Sequence, residues 1–255
     1  MRWGCCTSVD NLPLLEATGY DYVELTMVGL ADDTQYKLID QALSRSGLAA
    51  EAFNVLLPGE LKVVGSKVDQ SLIAEYIGTV FPRARALGGK IVVFGSGRSR
   101  RVPDGFPRER AHQQVRDFLR FVGDMAKGYD LMIAVEPLRH AECNLVNYVE
   151  EAYLLARQVD LESVGVLADF YHMSEGSDPL EHIIDAREAL VHFHLADTGR
   201  MWPGSGSYDY QSFFAAVKAA DYDQRMSLEC NFHHFARDIE EALAFLQEQW
   251  RKAQA

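Results

Sequence analysis

The sequence predicts an α/β protein that folds as a single (β/α)₈ barrel, or TIM barrel, over residues 1–255. Short apolar or β-branched runs alternate with longer helical segments along the whole chain, which indicates a parallel sheet. Eight such strand–helix units predict a closed barrel. The rival is a doubly wound open sheet, but the first run continues as GCCTSVD, without the glycine fingerprint typical of that fold.

The predicted strands are short runs dominated by apolar or β-branched residues. They lie at 2–7, 21–26, 48–55, 90–95, 131–136, 164–169, 190–196 and 225–230. The helices between them are clearest at 69–87, 109–127, 147–159, 210–220 and 237–250. In the last helix Ile239 and Leu243 share one face, which indicates packing against the sheet. Gly19, Gly47 and Gly88 precede strands, and we expect a positive φ there because each follows a helix end.

The composition excludes several classes of protein. The net charge of −12 argues against a nucleic-acid partner, because binding to a phosphate backbone usually needs a basic stripe. The first ten residues contain no apolar region of signal-peptide length, and runs such as 91–94 are too short to cross a bilayer. The four cysteines form neither a CxxC pair nor a disulfide framework. We therefore expect a cytoplasmic protein with reduced thiols and without a membrane partner.

Polar side chains close four consecutive predicted strands. The fifth strand ends in Glu136 and the sixth in Asp169, while the seventh carries His194 and the eighth carries Glu229. The carboxyl ends of barrel strands meet at one face, which is where TIM-barrel active sites lie. The sequence therefore predicts that these four side chains converge.

Three carboxylates and an imidazole at one barrel mouth predict a metal site. Buried carboxylates repel one another, and a divalent cation removes that cost. Oxygen and imidazole donors suit Mn²⁺, Mg²⁺, Co²⁺, Fe²⁺ or Zn²⁺ and leave open positions for a chelating substrate. We expect one ion per chain, with manganese as the first candidate, bound by Glu136, Asp169, His194 and Glu229.

A site of this kind favours proton abstraction next to a carbonyl. Chelation of the carbonyl and the adjacent hydroxyl stabilises the enediolate, and a carboxylate takes the proton. Glu136 and Glu229 are expected to flank the substrate as the acid/base pair. Return of the proton to the opposite face gives an epimerase, whereas return to the neighbouring carbon gives an aldose–ketose isomerase. The sequence leaves both outcomes open.

Four motifs resemble the xylose isomerase-like sugar isomerases and epimerases, in particular the D-tagatose/D-psicose 3-epimerase branch. The motifs are EPLRHAECN (136–144), ADFYH (168–172), HLADTGR (194–200) and SLEC (227–230). The resemblance implies the same four metal ligands, the same acid/base roles, and substrate contacts by Glu142, His172 and Arg200. One departure is Arg139, followed by His140, where similar chains often carry Asn-Arg.

The resemblance also implies a small-molecule sugar or sugar phosphate as substrate, and a homodimer or homotetramer. Hydroxypyruvate isomerases and inosose isomerases or dehydratases share the same frame and form the alternative interpretation. A phosphodiesterase of the endonuclease type is a more remote alternative, because a chain with a net charge of −12 is a poor partner for a polyanion.

Two further features have open interpretations. The loop FGSGRSRR (94–101) is either a site for a substrate phosphate or a plain glycine turn with solvated arginines, and we favour the turn. Glu24 and Asn54 end the second and third strands. Both point toward the mouth, where they either reach the substrate or hydrogen-bond neighbouring loops, and we favour the loops.

Overall fold

The computed structural model describes residues 1–254 and has eight parallel strands that form a closed barrel. Each strand pairs with the next, and the eighth pairs with the first. The strands are β1 (Arg2–Cys6), β2 (Tyr22–Thr26), β3 (Ala50–Asn54), β4 (Ile91–Phe94), β5 (Met132–Val135), β6 (Val164–Asp169), β7 (Leu190–Leu195) and β8 (Arg225–Leu228). The predicted (β/α)₈ barrel is confirmed, and the open sheet is excluded by the β1–β8 pairing.

Ten α-helices accompany the strands in the described residues. They are α1 (Leu12–Thr18), α2 (Asp33–Leu43), α3 (Gln70–Ala86), α4 (Gly97–Arg100), α5 (Arg108–Lys127), α6 (Val149–Val159), α7 (Phe170–Gly176), α8 (Glu181–Asp185), α9 (Tyr210–Ala219) and α10 (Phe235–Lys252). The five helices with the clearest apolar spacing are confirmed, with ends that differ by one or two residues. None of the helices in residues 1–254 is long and apolar enough to cross a membrane.

Local capping chemistry explains where several helices begin and end. The Asp69 carboxylate accepts hydrogen bonds from the backbone N–H groups of Ser71 and Leu72 at the start of α3. Gly19 and Gly88 have a φ of +96°, as expected after a helix end. The same expectation is wrong for Gly47, which has no positive φ. There the Glu16 side chain accepts the Gly47 backbone N–H at 3.0 Å, so a side chain replaces the left-handed turn.

Two register shifts bring inward-facing residues of neighbouring strands level with one another. In the β2–β3 pair the shift lies between Val23 and Glu24. In the β6–β7 pair the shift follows Val166, and it makes Asp169 the partner of His194. Without this irregularity Asp169 would lie beside Phe193, which points to the opposite face because side chains alternate along a strand.

The barrel interior below its mouth is apolar. The buried apolar residues inside the barrel form a small cluster, separate from the larger core between the barrel and the helices. This cluster consists of Tyr22, Ala52, Ile91, Val93, Ala134 and Leu167. The Tyr22 ring occupies the space that a side chain on β1 would take at Gly4, and its hydroxyl hydrogen-bonds the Ser227 hydroxyl at 2.9 Å. One large ring therefore joins β1, β2 and β8 inside the barrel.

The amino-terminal end of the barrel is closed by an ion-pair bridge. The buried Glu51 carboxylate on β3 accepts from the guanidinium groups of Arg2 on β1 and Arg225 on β8, each at 2.6 Å. The bridge thus ties three strands together at the end opposite the mouth.

We expect Gly4→Ala to destabilise the protein by about 1–3 kcal/mol, because overpacking a filled interior costs that much. A Cβ at Gly4 would lie 2.2 Å from the Tyr22 ring. The control is Gly78→Ala on the exposed side of α3, where a Cβ meets no atom within 4 Å. This change should stabilise by about 1 kcal/mol through helix propensity. Urea unfolding of both variants measures the difference, and equal stabilities would contradict the packing argument.

Candidate metal centre

A second layer of inward-facing residues lies at the carboxyl ends of the strands, one from each strand or from the residue just after it. Every second residue of a strand points inward, so this layer lies directly above the apolar cluster. It consists of Cys6, Glu24, Asn54, Gly95, Glu136, Asp169, His194 and Glu229. Acidic residues therefore concentrate at the barrel mouth.

The four predicted ligands come together in this layer. Glu136, Asp169, His194 and Glu229 each offer one ligand atom, and these atoms all lie within 4.8 Å of one another. The His194 Nδ1 atom lies 3.2 Å from Glu136 Oε1 and 3.5 Å from Glu229 Oε2. His194 is fully buried, so the cluster is shielded from bulk water on the barrel side.

The orientation of Asp169 fits a cation. Helix α7 begins directly after β6, and Asp169 Oδ1 accepts the first free N–H groups of that helix, from Tyr171 at 2.7 Å and His172 at 3.2 Å. The buried Oδ2 atom has no hydrogen-bond partner in residues 1–254. Buried carboxylate oxygens are normally paired, so a free oxygen within a set of three carboxylates and one imidazole fits a divalent ion.

Electrostatic interactions hold the cluster together. Burial lowers the pKa of His194, but the charges of Glu24 and Glu229 outweigh it and raise this pKa well above its usual range. Burial also raises the pKa of Glu136. Burial acts likewise on Glu229, but His194 and Arg200 outweigh it and lower that pKa to about 2. The two glutamates thus lie in opposite electrostatic environments.

The predicted substrate residues line a cavity of about 480 Å³ beside the cluster. Arg200 follows β7 and donates to Glu229 Oε2 at 2.5 Å and to the Glu142 carboxylate at 3.4 Å. His172 is buried, and both of its ring nitrogens lack a hydrogen-bond partner in the described chain. The structure therefore brings Glu142, His172 and Arg200 to the same cavity as Glu136 and Glu229.

The loop that carries Arg200 is ordered by one buried carboxylate. Asp197 accepts the backbone N–H groups of Thr198 at 2.8 Å, Gly204 at 3.0 Å and Tyr208 at 3.1 Å. Three hydrogen bonds to one side chain define the path of the loop over the mouth. Arg200 is consequently presented by a fixed turn.

Arg139 takes part in the network at the cavity rim. Its Nε donates to Glu142 Oε1 at 2.8 Å, so Glu142 is paired with two arginines, Arg139 and Arg200. Both guanidinium groups also lie over the ring of Tyr171, at 5.0 and 5.3 Å from its centroid. The residue that departs from the resembling motif therefore positions a predicted substrate contact.

Glu24 and Asn54 take part in the site more directly than expected. Glu24 hydrogen-bonds the rings of His192 and His194, each at 2.9 Å, and Asn54 donates to Glu229 Oε1 at 3.2 Å. The favoured interpretation as loop partners is wrong, because both side chains point inward with the ligands, as their predicted direction toward the mouth implied. The sequence carries a signal for this placement, because strand alternation puts both residues on the inward face that also carries the predicted ligands.

The arginines of the 94–101 loop are not all solvated as expected. Arg100 is fully buried and donates to the backbone carbonyls of Phe94 and Glu136, which join the ends of β4 and β5. Arg101 donates to the carbonyl of Glu142 at 2.9 Å. Only Arg98 of the three lines the cavity. The loop supports the site rather than forming a cluster of free arginines.

A closed (β/α)₈ barrel with an acid–imidazole cluster at its carboxyl face defines a class of TIM-barrel enzymes. Within that class, the chain belongs to the xylose isomerase-like TIM barrel family, whose model matches residues 12–249. The resemblance stated from the motifs is confirmed.

Among curated relatives, 3-dehydro-D-guloside 4-epimerase of Escherichia coli K12 is 32% identical over 143 residues, or 53% of this chain. The match spans only 55% of that protein's length. Inosose isomerase of Bacillus subtilis 168 is 26% identical over 240 residues, covering 86% of this chain and 82% of the relative. These names are an epimerase and an isomerase, so the expected enzyme class is confirmed at the level of the family.

Solved structures share the fold. D-psicose 3-epimerase from Clostridium cellulolyticum H10, crystallised with D-tagatose, has a TM-score of 0.84 at 16% identity and covers 98% of this chain and 99% of its own. The IOLI protein, with a bound zinc atom, has a TM-score of 0.73 at 22% identity and covers 98% of this chain and 96% of its own. Both show a barrel superposable over nearly the whole chain.

Gly95 leaves the space that the Glu136 carboxylate fills, because a Cβ at Gly95 would lie 2.0 Å from Glu136 Oε2. We expect Gly95→Ala to displace this carboxylate and to abolish most of the stabilisation by Mn²⁺ or Zn²⁺. The control is Gly176→Ala at the end of α7, where a Cβ meets nothing within 4 Å. Thermal unfolding with and without the ion measures the effect. An ion that binds only the native state, at a free concentration of about 100 times its Kd, raises the free energy of unfolding by about 2.7 kcal/mol. An unchanged metal-induced shift in Gly95→Ala would show that Glu136 does not need this space.

Proposed function

We propose that this protein is a divalent-metal-dependent carbohydrate epimerase or isomerase that removes a proton next to a carbonyl. The observation that carries the proposal is the convergence of ligand atoms from Glu136, Asp169, His194 and Glu229 within 4.8 Å of one another. Two of these residues, Glu136 and Glu229, also line the adjacent cavity. A structural ion pair has no need of three carboxylates beside an open cavity of about 480 Å³. Cavities of about 300–1,000 Å³ are typical of small-molecule sites.

The four converging side chains are the proposed ligands, and the unpartnered Oδ2 atom of Asp169 supports this assignment. When bound, a divalent ion supplies polarisation of the substrate carbonyl and stabilises the negative charge that develops on proton removal. Manganese remains our first candidate, and the zinc atom in the related IOLI structure makes Zn²⁺ the direct competitor. Oxygen-rich ligand sets favour harder ions, which supports Mn²⁺.

Glu136 and Glu229 are the proposed acid/base pair. They come from β5 and β8 ends and approach His194 Nδ1 from two directions, at 3.2 and 3.5 Å. Arg200 holds Glu229 as a carboxylate, the form that accepts a proton. Glu136 in its protonated form can donate a proton to the other face of the substrate carbon, which inverts that centre and leaves Glu136 as a carboxylate. Return to the adjacent carbon gives the isomerase outcome.

Arg200, His172 and Glu142 are the proposed substrate contacts. The ring nitrogens of His172 have no hydrogen-bond partner in residues 1–254, although Nε2 lies 3.6 Å from Asp169 Oδ2, so they are available to substrate oxygens. Arg200 offers a guanidinium that already faces the acid/base pair. Glu142 accepts hydrogen bonds from Arg139 and Arg200, and these contacts fix its side chain where it can accept a substrate hydroxyl.

The substrate class we favour is an unphosphorylated keto sugar. Arg100 and Arg101 donate to backbone carbonyls, so the loop at 94–101 lacks the arginine cluster that a phosphate would bind. The relatives named for a 3-dehydro-D-guloside, for inosose and for ketoses supply the candidate panel. An inosose-type isomerase is the second candidate, because that match extends over 86% of this chain.

Location and assembly remain proposals. All four cysteines are free, which supports a reducing compartment such as the cytoplasm. A homodimer or homotetramer stays an expectation from the family resemblance. The endonuclease-type alternative is disfavoured by the net charge of −12.

We expect Asp169→Ala to lose most of its bound metal after dialysis, because the centre loses an anionic ligand. Elemental analysis and the chelator-dependent fall in melting temperature measure this loss. The matched control is Asp178→Ala, since Asp178 is also buried but accepts from the Val149 N–H at 2.8 Å and contacts His182. This control should lose stability and retain metal. Wild-type metal content in Asp169→Ala would falsify the ligand assignment.

We expect Glu136→Gln and Glu229→Gln each to reduce turnover by about 10²–10⁴-fold, the usual contribution of a general acid or base. One of the two variants should still exchange the carbon-bound hydrogen with solvent, because deprotonation from its intact face needs only the other glutamate. NMR in D₂O with a panel of ketoses, keto-glycosides and inososes follows deuterium uptake and product together. Full epimerisation by either metal-loaded variant would refute the two-carboxylate mechanism. Deuterium at the neighbouring carbon would assign an aldose–ketose isomerase.

A further inference from the structure

Glu24 lies beside the proposed metal ligands although neither the motifs nor the ligand set includes it. Its side chain is fully buried on β2, and its two carboxylate oxygens each serve one histidine of β7. Oε1 lies 2.9 Å from the Nε2 atom of His194, and Oε2 lies 2.9 Å from the Nε2 atom of His192. A single carboxylate therefore bridges both rings.

We propose that Glu24 is a positioning residue that fixes the ring orientation and tautomer of His194, so that Nδ1 is the atom offered to the metal. An ionised carboxylate only accepts hydrogen bonds, so the His194 nitrogen facing it must carry a proton. That proton lies on Nε2, so Nδ1, which faces Glu136 and Glu229, is the ring nitrogen whose proton a bound cation would displace. The inference rests on the proposed function, because it assigns a role toward the same ion.

His192 completes the arrangement by holding the other oxygen of Glu24. Its Nε2 atom also lies 3.4 Å from the Ser227 hydroxyl, which in turn hydrogen-bonds the Tyr22 hydroxyl at 2.9 Å. The chain of contacts runs from the apolar cluster below to the ligand layer above. Glu24 is thus fixed from below, and it can orient His194 without contacting the substrate.

The carboxylate is chemically suited to this role in a way that an amide is not. Because each carboxylate oxygen serves a different ring, glutamine in the same place would present its oxygen to one ring and its NH₂ donor to the other. Either His194 loses its partner, or one ring shifts its proton to Nδ1. If the proton of His194 moves to Nδ1, it occupies the nitrogen that is proposed to bind the ion. The affinity for the metal therefore reports on the orientation and tautomer of the His194 ring.

The test compares Glu24→Gln with Glu51→Gln. Glu51 is also a buried carboxylate that bridges two cationic side chains, but it lies at the opposite end of the barrel. Calorimetric titration with Mn²⁺ and Zn²⁺ measures Kd, urea unfolding measures stability, and ¹⁵N NMR of the zinc-loaded protein reports the His194 tautomer. We expect Glu24→Gln to weaken metal binding by about 10–100-fold, as is typical when a ligand's supporting partner is removed. Glu51→Gln should keep the wild-type Kd at a comparable loss of stability.

A wild-type Kd for Mn²⁺ and Zn²⁺ in folded Glu24→Gln would overturn the positioning role while leaving the proposed function intact. A zinc-loaded wild-type protein in which Nδ1 rather than Nε2 of His194 carries the proton would overturn it as well. Absence of Mn²⁺ and Zn²⁺ binding by the wild-type protein would overturn both. If Glu24→Gln does not fold, Glu24→Asp replaces it, because aspartate keeps two acceptors but withdraws them by about 1.5 Å, one carbon–carbon bond. The same loss of affinity is expected, and an unchanged Kd would again reject the role.

Discussion

The mutual repulsion of carboxylates at the barrel mouth is the constraint on which the rest of the site depends. Four buried or half-buried acidic side chains of this layer contact three imidazoles and one guanidinium. The acids are Glu24, Glu136, Asp169 and Glu229, and their partners are His172, His192, His194 and Arg200. Each of these acids accepts a hydrogen bond from another group of the protein, but the buried Oδ2 atom of Asp169 accepts none. The acids are therefore almost fully paired within the protein, and the unpaired oxygen of Asp169 supports the proposed cation site.

Space for this charge cluster comes from positions without side chains. Gly95 on one side of the mouth makes room for the Glu136 carboxylate, and Gly4 below makes room for the Tyr22 ring. The ring forms part of an apolar floor that separates the charged layer from the ion-pair bridge at Glu51. The barrel thus keeps two charged ends apart with a packed apolar layer, which shields the interactions at the mouth from solvent on that side.

Much of the fold and of the candidate site could be predicted from local patterns. The helix expected at 210–220 is Tyr210–Ala219, and the strand expected at 164–169 is Val164–Asp169, because apolar periodicity is a property of the local chain. The supporting residues were less predictable. Arg100 was expected in solvent and is fully buried, because the carbonyls it contacts belong partly to β5 rather than to its own loop.

The sequence by itself determined which side chains reach the mouth, since the carboxyl ends of parallel barrel strands meet at one face whatever the loops do. Only the tertiary structure decided which of them touch. Asp169 lies beside His194 because of a register shift after Val166, and Glu24 contacts His192 across 168 residues of sequence because the closed barrel brings β2 and β7 ends together. Register shifts and cross-barrel contacts depend on closure of the whole sheet, and no local pattern of residues encodes them.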